Sequence, residues 1–168
     1  MAMTVPLGWL ILEGRYFPAM VLFFVAGFTD LVDGFLARTF GWKTRLGGIL
    51  DPIADKLLVA TAFVTLALAG FVPVWLLVVV LVRDAVIIGG SLAYQAFVAP
   101  FEAAPTGVSK LTTLLQLTYL LLALSAAALG FPDQRLLGPL AVLVAAAAVI
   151  SGLAYVVMGV RLARRARV

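Results

Sequence analysis

Four of the chain's eight acidic residues fall between positions 30 and 55. They form the pattern D-x-x-D-G-x-x-A-R-x8-G-x-x-x-D-x-x-x-D, made by Asp30, Asp33, Gly34, Ala37, Arg38, Gly47, Asp51 and Asp55. The flanks are strongly apolar, and a carboxylate at a membrane helix centre costs roughly 2.5–3.5 kcal/mol on insertion scales. Four clustered acids repel one another, and a bound divalent cation relieves that repulsion. Asp30, Asp33, Gly34 and Ala37 are spaced i, i+3, i+4, i+7, which puts them on one helix face. Gly34 and Ala37 leave room for a large polar ligand to press against the backbone, and Arg38 is placed to pair with its phosphate. Gly47, Asp51 and Asp55 recur every four residues and make a second stripe. The chain has no cysteine and no histidine. Thiol chemistry, disulfides, the usual zinc sites and histidine bases are therefore excluded. Oxygen-only ligands suit Mg²⁺ or Mn²⁺, and carboxylates that bridge two such ions are a common clamp for phosphoryl chemistry.

The elements that must hold these residues are membrane-grade. Of 168 residues, 64% are hydrophobic and 12% charged, with mean hydropathy +1.17. The charged share is about half that of a soluble protein. Apolar runs recur at about 3–12, 17–38, 46–69, 74–98, 109–129 and 136–160, most of them near the ~20 residues that cross a bilayer. This predicts an all-α, polytopic helix bundle in lipid, one domain over 1–168. The first run is too short to span. The loop between the second and third is short, so those helices should be antiparallel neighbours and their acidic stripes should face each other. Pro52 removes a backbone donor early in the third helix and is expected to kink it.

Basic residues set the orientation. With the 39–45 loop in the cytosol, that side receives Arg38, Lys43, Arg45, Lys110, Arg161, Arg164, Arg165 and Arg167, and the other side only Arg15 and Arg135. The aspartates then face the cytosol. The basic tail reads as a topology anchor or a contact for anionic lipid, and the net charge of +4 as membrane electrostatics rather than nucleic-acid binding.

In the second half, Arg83, Asp84, Pro105, Ser109, Lys110, Thr112, Thr113 and Gln116 stand out. Ser109, Thr112, Thr113 and Gln116 share a helix face, for interhelical hydrogen bonds or for a ligand. Arg83 and Asp84 are adjacent, so they are not expected to face each other, and each needs a partner elsewhere in the bundle.

The 30–55 stretch resembles the signature of the CDP-alcohol phosphotransferase family, integral membrane enzymes of phospholipid synthesis, at all eight positions. The pattern R-D-x-x-I…P-x-x-x-S-K-x-x-T-x-x-Q is similar to the branch that contains phosphatidylglycerophosphate synthases and cardiolipin synthases. The resemblance implies six transmembrane helices, a homodimer, and a site open to the cytosol at the bacterial inner (cell) membrane. It implies transfer of a phosphatidyl group from CDP-diacylglycerol to glycerol 3-phosphate or phosphatidylglycerol, with release of CMP. By the same resemblance Asp30, Asp33 and Asp51, with Asp55 contributing, would hold two Mg²⁺ or Mn²⁺ ions, and Asp55 would be the base on the acceptor hydroxyl. Asp33, Gly34, Ala37, Arg38 and Gly47 would line the cytidine diphosphate site. Both acceptors carry a phosphate, for which Arg83, Lys110 and Arg45 are the candidates.

Family members begin with an interfacial helix and a full first span, so the natural chain is expected to extend N-terminally by roughly 15–30 residues. Two rival readings are an inactive family member that serves as a membrane scaffold and an acid-lined transporter. A transporter should carry its acids near the midplane, often in broken or repeated helices.

Overall fold

The structure, a computed structural model, describes the backbone over residues 3–39, 47–97 and 107–165. Within these it describes the side chains except at 30, 31, 33–39, 47–55, 91–97, 134 and 160–165. Among the described residues every regular element is a helix: α1 (Thr4–Leu12), α2 (Tyr16–Thr39), α3 (Gly47–Leu68), α4 (Val74–Phe97), α5 (Gly107–Leu129) and α6 (Gln134–Arg165).

Helices α1 and α3 stop where the sequence supplies a left-handed residue. Gly14 has φ 74° and Gly70 φ 81°, a region that costs other residues steric strain. At the end of α1, Gly14 N donates to Ile11 O at 3.0 Å and Arg15 N to Leu10 O at 2.9 Å. At the end of α3, Gly70 N donates to Ala67 O at 3.1 Å and Phe71 N to Leu66 O at 3.0 Å. Both are Schellman closures, which satisfy the last carbonyls of a helix. At the start of α6, Asp133 Oδ1 accepts a 3.0 Å bond from Arg135 N. That N-cap draws the helix start to Gln134, two residues before the apolar run begins. At its other end α6 continues five residues past Val160, because arginines are good helix formers.

Two compact units are formed, one by residues 1–72 and 118–137, the other by 73–117 and 138–168. In the first, α1 packs against α2 and α3. Its core holds Leu7 and Ile11, Ala19, Phe23 and Ala26, and Leu58, Ala62, Phe63 and Leu66, with Tyr119, Leu120, Ala123 and Leu124 from α5. The Phe63 and Tyr119 rings stack with centroids 6.2 Å apart and planes 8° apart, an arrangement that adds to plain burial. In the second unit, Leu76, Val80, Arg83 and Ile87 make a helical stripe on α4, with Thr112 and Gln116 on α5 and Ala141, Val144, Ala148 and Ser151 on α6.

Large apolar side chains are also exposed in number, among them Phe17, Phe24 and Phe28 on α2 and Val142, Leu143 and Ile150 on α6. Such surfaces mark contact with lipid or protein. Gly107–Leu129 and Arg135–Gly159 are each long and apolar enough to cross a membrane.

Candidate active site

All eight signature positions fall in two helices. Asp30, Asp33, Gly34, Ala37 and Arg38 lie in the last turns of α2, and Gly47, Asp51 and Asp55 in the first turns of α3. Both backbones are helical through these positions, so the registers i, i+3, i+4, i+7 on α2 and i, i+4, i+8 on α3 hold. The α3 backbone is helical through Pro52. The signature side chains lie outside the described residues, and so do Arg45, Lys43 and the rest of the 40–46 connection. The facing of the two stripes rests on those residues. Among the described side chains no group of three acidic or other metal-binding residues occurs. The donor set of the signature fits a hard divalent ion. Its four aspartates offer oxygen alone, in a chain with no imidazole or thiolate to favour a softer metal.

The second unit carries the other predicted residues. Lys110 is exposed in the first turn of α5. Arg83 is buried, with 6% of its surface exposed. Its Nη1 donates to Asp84 Oδ1 at 2.6 Å, and its Nη2 to Ser109 Oγ at 2.8 Å and Ser151 Oγ at 3.1 Å. The expectation that Arg83 and Asp84 do not meet is therefore corrected. Neighbouring Cβ atoms diverge on a helix, but the long arginine stem folds back far enough for its guanidinium to reach the next carboxylate. Burial makes that worthwhile, since a desolvated charge needs a counter-charge.

The polar face of α5 serves helix contacts at two of its positions. Thr112 Oγ1 lies 3.2 Å from Ala147 O on α6 and 2.8 Å from Val108 O on its own helix. Ser109 accepts from Arg83. Thr113 Oγ1 turns back to Ser109 O at 3.1 Å and is exposed. Gln116 is buried, with no described partner for its Nε2. Ser151 carries no sequence signal of its own. It sits in an Ala/Val-rich run with no charge or motif beside it. The available signal was the buried arginine, which requires acceptors on neighbouring helices.

The CDP-alcohol phosphatidyltransferase family model matches residues 1–162, and so takes in both signature helices and the Arg83 cluster. The chain belongs to this family. Among its relatives, a cardiolipin synthase (CMP-forming) of Rattus norvegicus is 34% identical over 144 residues, covering 76% of this chain and 48% of the relative. A probable phosphatidylglycerophosphate synthase of Mycobacterium tuberculosis is 35% identical over 150 residues, 85% of this chain and 66% of the relative. A CDP-diacylglycerol–glycerol-3-phosphate 3-phosphatidyltransferase of Bacillus subtilis is 41% identical over 69 residues, 41% of this chain and 36% of the relative. The chain spans about half the length of several curated relatives it matches. As a CDP-alcohol phosphatidyltransferase family member with two membrane-length apolar helices, it fits a membrane-associated protein.

Proposed function

We propose that this family member transfers a phosphatidyl group from CDP-diacylglycerol to a phosphate-bearing alcohol and releases CMP. The observation that carries the reading is the complete signature, held in helical register on α2 and α3 of a chain the family model covers through residue 162. The acceptor hydroxyl oxygen forms a bond to the phosphatidyl phosphorus. The bond from that phosphorus to the bridging oxygen of CMP breaks, and CMP leaves with the electron pair. The hydroxyl proton passes to the Asp55 carboxylate, a positioned base in a chain without histidine. Asp30, Asp33 and Asp51, with Asp55 contributing, would hold two Mg²⁺ or Mn²⁺ ions. Such ions supply charge neutralisation for the pyrophosphate and for the leaving CMP. Gly34, Ala37 and Gly47 keep the backbone accessible to the cytidine diphosphate, with Asp33 beside them, and Arg38 pairs with its phosphate. Lys110, exposed and cationic, recognises the acceptor phosphate, and Arg45 is the second candidate for that contact. The chain would work as a six-span homodimer in a bacterial inner membrane with the site toward the cytosol, as the resemblance and the basic-residue asymmetry imply.

The relatives are named for two acceptors' worth of chemistry, cardiolipin synthesis and phosphatidylglycerophosphate synthesis. The test is CMP release by the purified chain from CDP-diacylglycerol with Mg²⁺ or Mn²⁺, offering glycerol 3-phosphate and phosphatidylglycerol in turn. Release with one acceptor supports transfer and names the type. No release with either, from folded protein with metal present, favours the scaffold reading.

A further inference from the structure

The α6 backbone is helical from Gln134 to Arg165, and its buried residues fall on one line, Leu137, Ala141, Val144, Ala148 and Ser151. In helical register that line runs on to Leu162. A second line, Leu143, Ile150 and Val157, recurs every seven residues and is exposed. The seventh residue after Val157 is Arg164, with Arg161 one turn before it and Arg165 directly after. With 3.6 residues per turn the three arginines fall within an arc of about 100°, on the side of the exposed line and away from the buried one. An apolar face left open to its surroundings therefore turns basic at its end without leaving its side of the helix.

The part of α6 long and apolar enough to cross a membrane ends at Gly159. At 1.5 Å per residue Arg161, Arg164 and Arg165 stand about 3–9 Å beyond it. The headgroup layer on each side of a bilayer is about 5–8 Å deep, so this is the depth of lipid phosphates. No acidic residue follows Asp133 in the chain, so α6 offers its arginines no counter-charge of its own. A topology anchor requires only the number of basic residues at a helix end, whichever way they face. Three on the open arc match a row of phosphodiesters whose acyl chains run along Ile150 and Val157, within the ~15 Å of one leaflet. A guanidinium takes a phosphate through two parallel N–H···O bonds. We propose that the Ile150–Val157–Arg164 face of α6 is a docking surface for anionic phospholipid, with acyl chains along its apolar part and phosphates at Arg161, Arg164 and Arg165. The inference rests on α6 crossing the bilayer and is independent of the reaction proposed at the signature.

The chain has no cysteine, so a single introduced cysteine can be labelled in the full chain. Val156 and Val157 are exposed to the same degree, 48% and 47%, at nearly one depth. They differ by about 100° around the helix, and Val157 is the one on the arginine side. A fluorophore on Val156→Cys or Val157→Cys is read in vesicles of phosphatidylcholine and phosphatidylserine, with one lipid or the other brominated as quencher. Phosphatidylserine is anionic and is neither donor nor acceptor in the proposed reaction. The label at 157 should prefer phosphatidylserine about fivefold or more, and the label at 156 should show no preference. Arg161→Gln with Arg164→Gln, which leaves the other basic residues to hold the topology, should remove most of the preference at 157. Equal preference at the two positions means diffuse attraction of anionic lipid to a basic end and overturns the proposal. So does a preference at 157 that persists in the double variant. Equal quenching by both lipids at 157 overturns it too and leaves the membrane reading intact. Quenching by neither lipid at 157 alone means that protein, such as a second copy of this chain, covers the face. Quenching by neither at both positions means that α6 does not meet lipid there, and the membrane reading then fails along with the proposal.

Discussion

Gly8 of α1 lies so close to Thr61 of α3 that a carbon in its Cβ position would stand 3.1 Å from the Thr61 Cγ2. The Thr65 methyl is 3.5 Å away, an ordinary contact. Small residues let membrane helices approach in this way, and dispersion then replaces the hydrophobic drive that lipid does not supply. The contact seats α1 on the helix that carries Asp51 and Asp55. Gly8→Leu should destabilise the folded chain by about 1–3 kcal/mol. Gly8→Ala sets a helix-propensity gain of about 0.5–1 kcal/mol against the tight contact. Adding Thr61→Ser, which removes the opposing methyl, should recover that gain, with a favourable coupling of about 0.5 kcal/mol or more. Denaturation in detergent of the two single variants and the double variant measures it, and strict additivity contradicts the contact.

Asp33→Asn should abolish metal-dependent CMP release while the protein remains folded in the membrane. In the proposed mechanism, which follows the family resemblance, Asp33 would serve both the metal and the nucleotide, and an amide lacks the charge a divalent ion requires. Retained turnover in this variant, or full activity of the parent chain in excess chelator, rules out the metal mechanism.

Asp55→Asn tests the base separately. Loss of a positioned base typically costs about 10²–10⁴ in rate. Turnover should fall by that order, while CDP-diacylglycerol still binds in the presence of metal. Binding that collapses along with turnover would make Asp55 an indispensable metal ligand instead.

Tyr119→Phe should leave stability unchanged or raise it by up to about 1 kcal/mol, because a buried hydroxyl without a partner costs desolvation free energy. The Tyr119 hydroxyl is buried with no described partner, and its ring stacks on Phe63. Phenylalanine keeps the ring and removes the hydroxyl. A loss above about 1 kcal/mol would mean that the hydroxyl has a hydrogen-bond partner.

The helix plan was legible because apolar runs and turn glycines act at short range. Gly14 and Gly70 end α1 and α3 where the sequence says they should. The start of α6 lies two residues before its apolar run, because the capping Asp133 sits outside that run. The signature could be read in order, as its spacing is a property of one chain segment. The Arg83 tie could not, because Ser151 lies 68 positions away and nothing local marks it. The Arg83–Asp84 pair escapes the rule about diverging Cβ directions, because the arginine side chain is long enough to fold back onto its neighbour.

The helix α6 is continuous over 32 residues, about 48 Å at 1.5 Å per residue. A bilayer's hydrocarbon layer is about 30 Å thick. In the membrane reading the surplus must lean or stand in water, and how it is shared depends on the thickness of the surrounding lipid. Ser151 rides on the same rod as Arg161, Arg164 and Arg165. A thinner bilayer favours a leaning rod and a thicker one an upright rod. The thickness of the host membrane thereby sets how far the arginine-bearing end of α6 stands clear of the hydrocarbon.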